Sequence, residues 1–214
     1  MLGSKHSYLK FLTISLLGLI LLICLVACGN DSKKEFPADL DVALYRIHFL
    51  DKNVYLPSGF EVVNLNELGE MLRQNPDLEE PLKTYYQIAA SINANSGVSP
   101  QFFTHNYKSQ CIWFTSGSYI ELTKEKASIY EQMMDRNYIQ PLRESGAEIK
   151  LIERKFITKK NTKIIKLKYE QNFPRTHGYM TQYLVTYRNN TFSIMVANTL
   201  EEDFSFILDN FSSY

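Results

Sequence analysis

Between Ala147 and Ala197 the chain repeats one pattern four times: a run rich in β-branched and aromatic residues, then a short polar connection. The runs fall at about Ala147 to Ile157, Thr162 to Glu170, Tyr179 to Tyr187 and Thr191 to Ala197. Lys159-Lys160-Asn161 and Arg188-Asn189-Asn190 are hairpin-sized, and asparagine tolerates the positive φ that such turns require. In the second run Ile165, Leu167 and Tyr169 alternate with Lys166, Lys168 and Glu170, so one face of the sheet is apolar and the other at least partly wet. Connections this short join antiparallel neighbours, and the pattern predicts a four-strand meander. Thr199 then caps a predicted final helix, with Glu202 completing a capping box and Glu201, Glu202 and Asp203 complementing the dipole. Leu200, Phe204, Ile207, Leu208 and Phe211 form its apolar stripe, which must cover a sheet.

Upstream the signals are more mixed. Asp39 to Leu50 stays open between helix and strand: Leu40, Ala43, Leu44 and Ile47 have helical spacing, whereas Tyr45, Ile47 and Phe49 alternate. Asn53 to Phe60 predicts a strand ended by Pro57-Ser58-Gly59, where Gly59 supplies left-handed backbone angles. Asn64 with Glu67 opens a predicted helix that Asn75-Pro76 stops, and Pro81 opens a second that runs to about Asn93. Ser109 to Thr115 predicts a short strand covered on both faces. A further helix is expected from about Lys124 to Leu142, burying Ala127, Tyr130, Met134 and Ile139, with Pro141 and Gly146 at its end. At helical spacing its tyrosines and methionines are read as core, with a ligand stripe as the alternative.

The N-terminal part has a different logic. Lys5, His6 and Lys10 form a positive start with no acid before Asp31, and an apolar run from Phe11 to Val26 follows. That run offers about 16 positions against the roughly 20 of a spanning helix. It leads into Leu25-Val26-Ala27-Cys28, which resembles the lipobox of bacterial lipoproteins. The resemblance implies cleavage between Ala27 and Cys28, diacylglycerol on the Cys28 sulfur and a third acyl chain on the new amino group. Two or three acyl chains anchor stably where one does not. A plain signal peptide, a retained membrane helix and a buried core helix are the competing readings. The organisation that follows is a signal peptide over 1–27, a lipidated cysteine and polar tether over 28–37, and a single α+β domain over 38–214. Gly29 after Cys28 implies the periplasmic leaflet of the outer membrane if the cell has two membranes, and otherwise the outer face of the cytoplasmic membrane.

Taken together, Leu56-Pro57-Ser58-Gly59-Phe60, the helix near Lys124 to Leu142, the meander and a terminal helix behind Thr191 to Val196 resemble the PsbP-like αβα sandwich. This family includes the photosystem PsbP subunit, Ran-binding Mog proteins and envelope lipoproteins such as DcrB. The expected architecture is α+β, an antiparallel sheet of about six strands flanked by helices. What the resemblance implies for function is binding or assembly without a catalytic centre. The predicted insert from Asn64 to Asn93 is longer than the family's short members require.

Charge and motif content agree with a binding role. Lysine plus arginine and aspartate plus glutamate both number 23, and removing Lys5 and Lys10 leaves the remainder slightly acidic, which argues against general nucleic-acid binding. There is no His-Glu-x-x-His, Cys-x-x-Cys, Gly-x-Ser-x-Gly or phosphate-cradling glycine loop. No catalytic or metal residue and no cofactor is assigned. His48, His105 and His177 are far apart in sequence, and Cys111 within Cys111-Ile112-Trp113-Phe114 is read as a small buried hydrophobe without a disulfide partner. Two stretches are candidate binding surfaces: the connection Asn172 to Tyr179, with Arg175, His177 and Tyr179, and the basic run from Lys150 to Lys168, with Lys166 and Lys168. Solvated turn and edge-protecting lysines are the plainer readings of each. The expectation is a lipid-anchored, non-catalytic accessory module with the membrane and an unidentified envelope protein or ligand as partners. The alternative is a tethered hydrolase or transferase using an unrecognised His or carboxylate site.

Overall fold

The computed structural model describes residues 41–64, 100–105, 110–144, 146–174 and 176–211, with 70, 73, 74, 83 and 87. Cys28, the expected signal peptide and tether, and most of the two helices expected after Asn64 and Pro81 lie outside these residues. Glu70, Arg73, Gln74, Lys83 and Gln87 are helical. Among the described residues no helix is long and apolar enough to cross a membrane.

The meander forms as its alternation demands. Strands β6 (Glu148–Lys159), β7 (Thr162–Asn172), β8 (His177–Tyr187) and β9 (Asn190–Asn198) pair antiparallel in sequence order. Left-handed backbone falls on Lys160 (φ 47°) and Arg188 (φ 54°), the first residue of each tight turn. The sheet continues past β9 into β5 (Gln110–Gly117), β4 (Gln101–His105) and β3 (Phe60–Val63), giving the order β3-β4-β5-β9-β8-β7-β6. The segment from Asp39 to Leu50 resolves mainly as strand: β1 (Val42–Ile47) pairs with β2 (Lys52–Pro57) in a separate hairpin, and His48–Leu50 form a 3₁₀ turn. The Pro57-Ser58-Gly59 turn carries the chain from that hairpin into the main sheet. Gly59 has φ +84°, and a Cβ there would stand 2.9 Å from the His105 ring. The sheet is thus larger than expected, since β3 and β4 add to the strands legible in the sequence.

Cross-strand pairing places Leu167, Gln182, Met195 and Trp113 on one face, and Lys166, Tyr183, Ile194 and Phe114 on the other. The first face packs under α1 (Lys126–Met134) and α2 (Gln140–Glu144), burying Ala127, Met134, Ile139 and Leu142 against Trp113, Leu167 and Tyr169. Between them Asp135–Ile139 form a π-helical turn, in which the Gln140 amide reaches the Asp135 carbonyl. The helical run expected to about Leu142 thus carries through Pro141 to Glu144. A proline ring clashes with the carbonyl four residues back, and a π turn displaces the ladder just where Pro141 needs room. Gly146 (φ +95°), one of the two residues expected at the helix end, follows the run.

The opposite face is covered by the β1–β2 hairpin, through Ile47, Val54 and Leu56, and by the C-terminal segment, through Phe204, Ile207, Leu208 and Phe211. Those last four are the predicted apolar stripe. The expected helix from Thr199 is not formed: residues 199–204 are irregular, and only Ser205–Phe211 turn, as a 3₁₀ helix. Phe204 sits at φ 49°, which breaks any helix at that point. Asn198 donates to the Glu202 carbonyl, and Asp203 accepts from the Ser205 amide at 2.9 Å. Asn210 clamps β2 by accepting from the Tyr55 amide (2.9 Å) and donating to its carbonyl (3.2 Å). The fold class is therefore α+β, an antiparallel sheet with helix on one face, and the terminal helix of the sequence reading becomes an extended clamp closed by a 3₁₀ turn.

Candidate functional site

Lys166 and Lys168 of β7 point toward that clamp. Lys166 is 7% exposed; its ammonium pairs with Glu153 of β6 and, at 2.6 Å, with Asp203 of the clamp. Lys168, equally buried, donates to the Glu201 carbonyl (3.0 Å) and stands 3.4 Å from its carboxylate. Burial alone would raise the Glu153 and Asp203 carboxyls, but hydrogen bonds and charge from Lys166 outweigh it and hold both below the ordinary range. Burial would likewise lower Lys166; Asp203 and Glu153 outweigh it and raise that amine. Asp203 and Glu201, read in sequence as helix-dipole partners, are the counterions of the strand lysines.

The rest of the basic run is answered in the same way. Arg154 reaches Glu131 of α1 at 2.5 Å, Lys159 reaches Asp209 at 2.7 Å, and Lys163 reaches Glu121 at 3.4 Å. The acids come from 121–131 and 201–209, so the positive stretch seen in isolation is largely matched on folding. β6 is the sheet edge, with a register shift between Leu151 and Glu153, and its charges together with that irregularity guard it against further pairing.

Of the proposed loop surface, Arg175 lies outside the described residues, and His177 and Tyr179 form a compact group with β7. The His177 ring meets Tyr179 edge-on at 4.8 Å, His177 Nε2 lies 3.1 Å from Glu170, and Lys168 stands 5.4 Å from the Tyr179 ring. Lys168 and Tyr179 are thus brought together, whereas Lys166 turns to Glu153 and Asp203. The histidines do not converge. His48 and Gln101 share one end of β4 and His105 occupies the other; His177 is three strand spacings from His105 across β8, β9, β5 and β4, roughly 14 Å. Cys111 is fully buried, and burial pushes its thiol far up, as befits an inert core residue. Among the described residues no group of three or more His, Cys, Asp or Glu is arranged to hold a metal.

A surface that the sequence reading missed lies on the helical side. Ile129 and Met133, one turn apart on α1, are 58% and 52% exposed, and Tyr119 and Ile120 on the approach to the helix are also exposed. Met133 and Ile120 line a common cavity of about 220 Å³ with Tyr130, Asn137, Gln182 and Ser193. A second cavity, of about 450 Å³, is lined by Glu131, Asp135, Arg136, Arg143 and Tyr169. The predicted core stripe names Met134, which is buried, and leaves Met133 unnamed. The spacing of four from Ile129 to Met133 is the signal that marks a second, outward apolar row.

Cyanobacterial PsbP is similar in structure. The solution structure of that protein (CyanoP) from Synechocystis sp. PCC 6803 aligns over 83% of this chain and 92% of its own, at 10% identity and a TM-score of 0.48. No family model and no curated protein matches the sequence.

Proposed function

We propose that this chain is a lipid-anchored cell-envelope lipoprotein, a non-catalytic binding or assembly accessory for another envelope component. The lipobox-like Leu25-Val26-Ala27-Cys28 supports the anchor, and Cys28 is the acylated residue. The observation that carries the binding role is the outward apolar row of Ile129 and Met133 with Tyr119 and Ile120 beside it. Large side chains left in water together on one side of a domain mark an interaction surface. Lys166 and Lys168, with Glu153, Asp203 and Glu201, are engaged in tying the sheet to the terminal clamp.

The test is crosslinking in native membranes, purification of the full chain, and mass spectrometry of its N-terminal peptide and of what travels with it. A Cys28→Ala chain and an Ile129→Arg/Met133→Arg chain run beside it. The expected result is an acylated Cys28 peptide and a stoichiometric partner lost from the double-arginine chain. An uncleaved, unmodified N-terminus removes the anchor. A chain with no partner whose activity disappears on His177→Ala, with folding intact, replaces the binding role by a hydrolase or transferase.

A further inference from the structure

Sulfur is unevenly exposed in this chain. Among the described residues Cys111, Met134, Met180 and Met195 are no more than 2% exposed, whereas Met133 keeps 52% of its surface. Susceptibility to oxidation follows access, so a two-electron oxidant that meets the folded chain reaches Met133 ahead of Met134, its neighbour in sequence. The Cys111 thiol does not compete, because burial both covers it and pushes its ionisation far up. Met133 also has a particular place in the outward apolar row. It stands one turn from Ile129 on α1 and lines the same cavity as Ile120, and so joins the helical part of the row to the approach segment.

We propose that Met133 is an oxidation site whose conversion to the sulfoxide switches the docking row off. The inference rests on the docking role given to that row. The oxidant is a peroxide: the thioether sulfur attacks one oxygen, the O–O bond breaks, and the departing hydroxide takes the proton of the transferred oxygen and leaves as water. The sulfur gives up two electrons and the peroxide gains them. A flexible apolar side chain thereby becomes a polar, chiral one at the centre of the row. Docking would then bury the new S=O oxygen without a donor, which opposes association. A docked partner in turn covers the sulfur and slows its oxidation. The step is reversible, since a methionine sulfoxide reductase with two thiols returns the thioether, a disulfide and water.

The test exposes native membranes carrying the full chain to hydrogen peroxide, quenches with catalase, crosslinks, and measures both the sulfoxide at each methionine and the crosslinked partner by mass spectrometry. Met133 should oxidise at least about tenfold faster than Met134, Met180 and Met195. The crosslinked partner should fall by about fivefold or more, the scale of burying one unmatched polar group, and a mixture of the two stereospecific methionine sulfoxide reductases with dithiothreitol should restore it. In a Met133→Leu chain the ratio of crosslinked partner after peroxide to that before should stay near one, whatever the starting yield. In an Ile129→Arg chain, which keeps the sulfur and loses the partner, Met133 should oxidise faster than in the parent. Equal oxidation of the buried methionines, or an equal peroxide loss in Met133→Leu, would overturn the switch. So would an oxidised parent that holds its partner while the Ile129→Arg/Met133→Arg chain has lost it, and the docking row would then stand without regulation. A partner retained by that double-arginine chain would remove the docking reading itself and the switch with it.

Discussion

Lys166 is the residue on which the clamp turns. Its ammonium is nearly dry and lies between two carboxylates that keep 31% and 23% of their side-chain surface, Glu153 from the sheet edge and Asp203 from the segment after β9. Removing the cation leaves both acids half-buried and facing each other. Lys166→Met, which keeps the stem that packs on the sheet, is expected to lower stability by roughly 2–3 kcal/mol, below the full cost of breaking a buried pair because both acids retain some water. Urea denaturation of the variant beside the parent measures it, and a loss under about 0.5 kcal/mol, the scale of an ordinary surface substitution, would show the pair to be ornamental. The sequence displayed Lys166 and Lys168 as the wet side of an alternating strand, and their exposure was the part it could not supply. Burial came from Glu201 and Asp203, more than thirty residues on, which looked like helix-dipole partners as long as a helix was expected after Thr199.

At the scale of elements, the terminal segment shows which signals survive when a predicted element changes shape. Phe204, Ile207, Leu208 and Phe211 are all buried, as the stripe required, but Leu200 is 54% exposed because the chain from 199 to 204 is not helical. The stripe located the apolar contacts; the capping box located nothing, since the Asn198 side chain takes the Glu202 carbonyl before a helix begins. Ile207→Ala should therefore cost about 2–5 kcal/mol, as deletion of a core side chain does, while Leu200→Ala should stay within about 0.5 kcal/mol. Thermal unfolding of the two variants separates a clamp from a helix, because a continuous helix from Thr199 would make Leu200 part of the buried face. The meander was legible throughout because period-two alternation needs no tertiary context. β4 was not, since Phe102-Phe103-Thr104 is short, and both of its phenylalanines are buried on opposite faces, which erases alternation.

For the whole molecule, the same lysine–carboxylate cluster sets a dependence on pH. Glu153 and Asp203 titrate below their ordinary values in the folded chain, so their contribution is complete above the unfolded carboxylate range, about 3.9–4.3, and is lost as pH falls through the folded values. Lys166 titrates above its ordinary value, so its contribution is complete below about 10.4 and is lost as pH rises through the folded value. Urea midpoints should stay level from about pH 5 to pH 10 and fall on either side, with the acid limb shallower in Lys166→Met. A steep change between pH 6 and pH 8 would point to a histidine in place of this cluster.

The strand order also fixes a sequence of events in making the protein. β5 and β8 are joined only through β9, which follows β6, β7 and β8 along the chain. Until residues 190–198 arrive, β5 offers an open row of amides and carbonyls beside Ile112, Trp113 and Phe114, and the meander offers a second at β8. β9 is the keystone strand, inserted last between two half-sheets that cannot pair without it. Pairing across so long a loop is slow, and a chain leaving a ribosome or a membrane pore must carry two unfinished edges until its final strand follows.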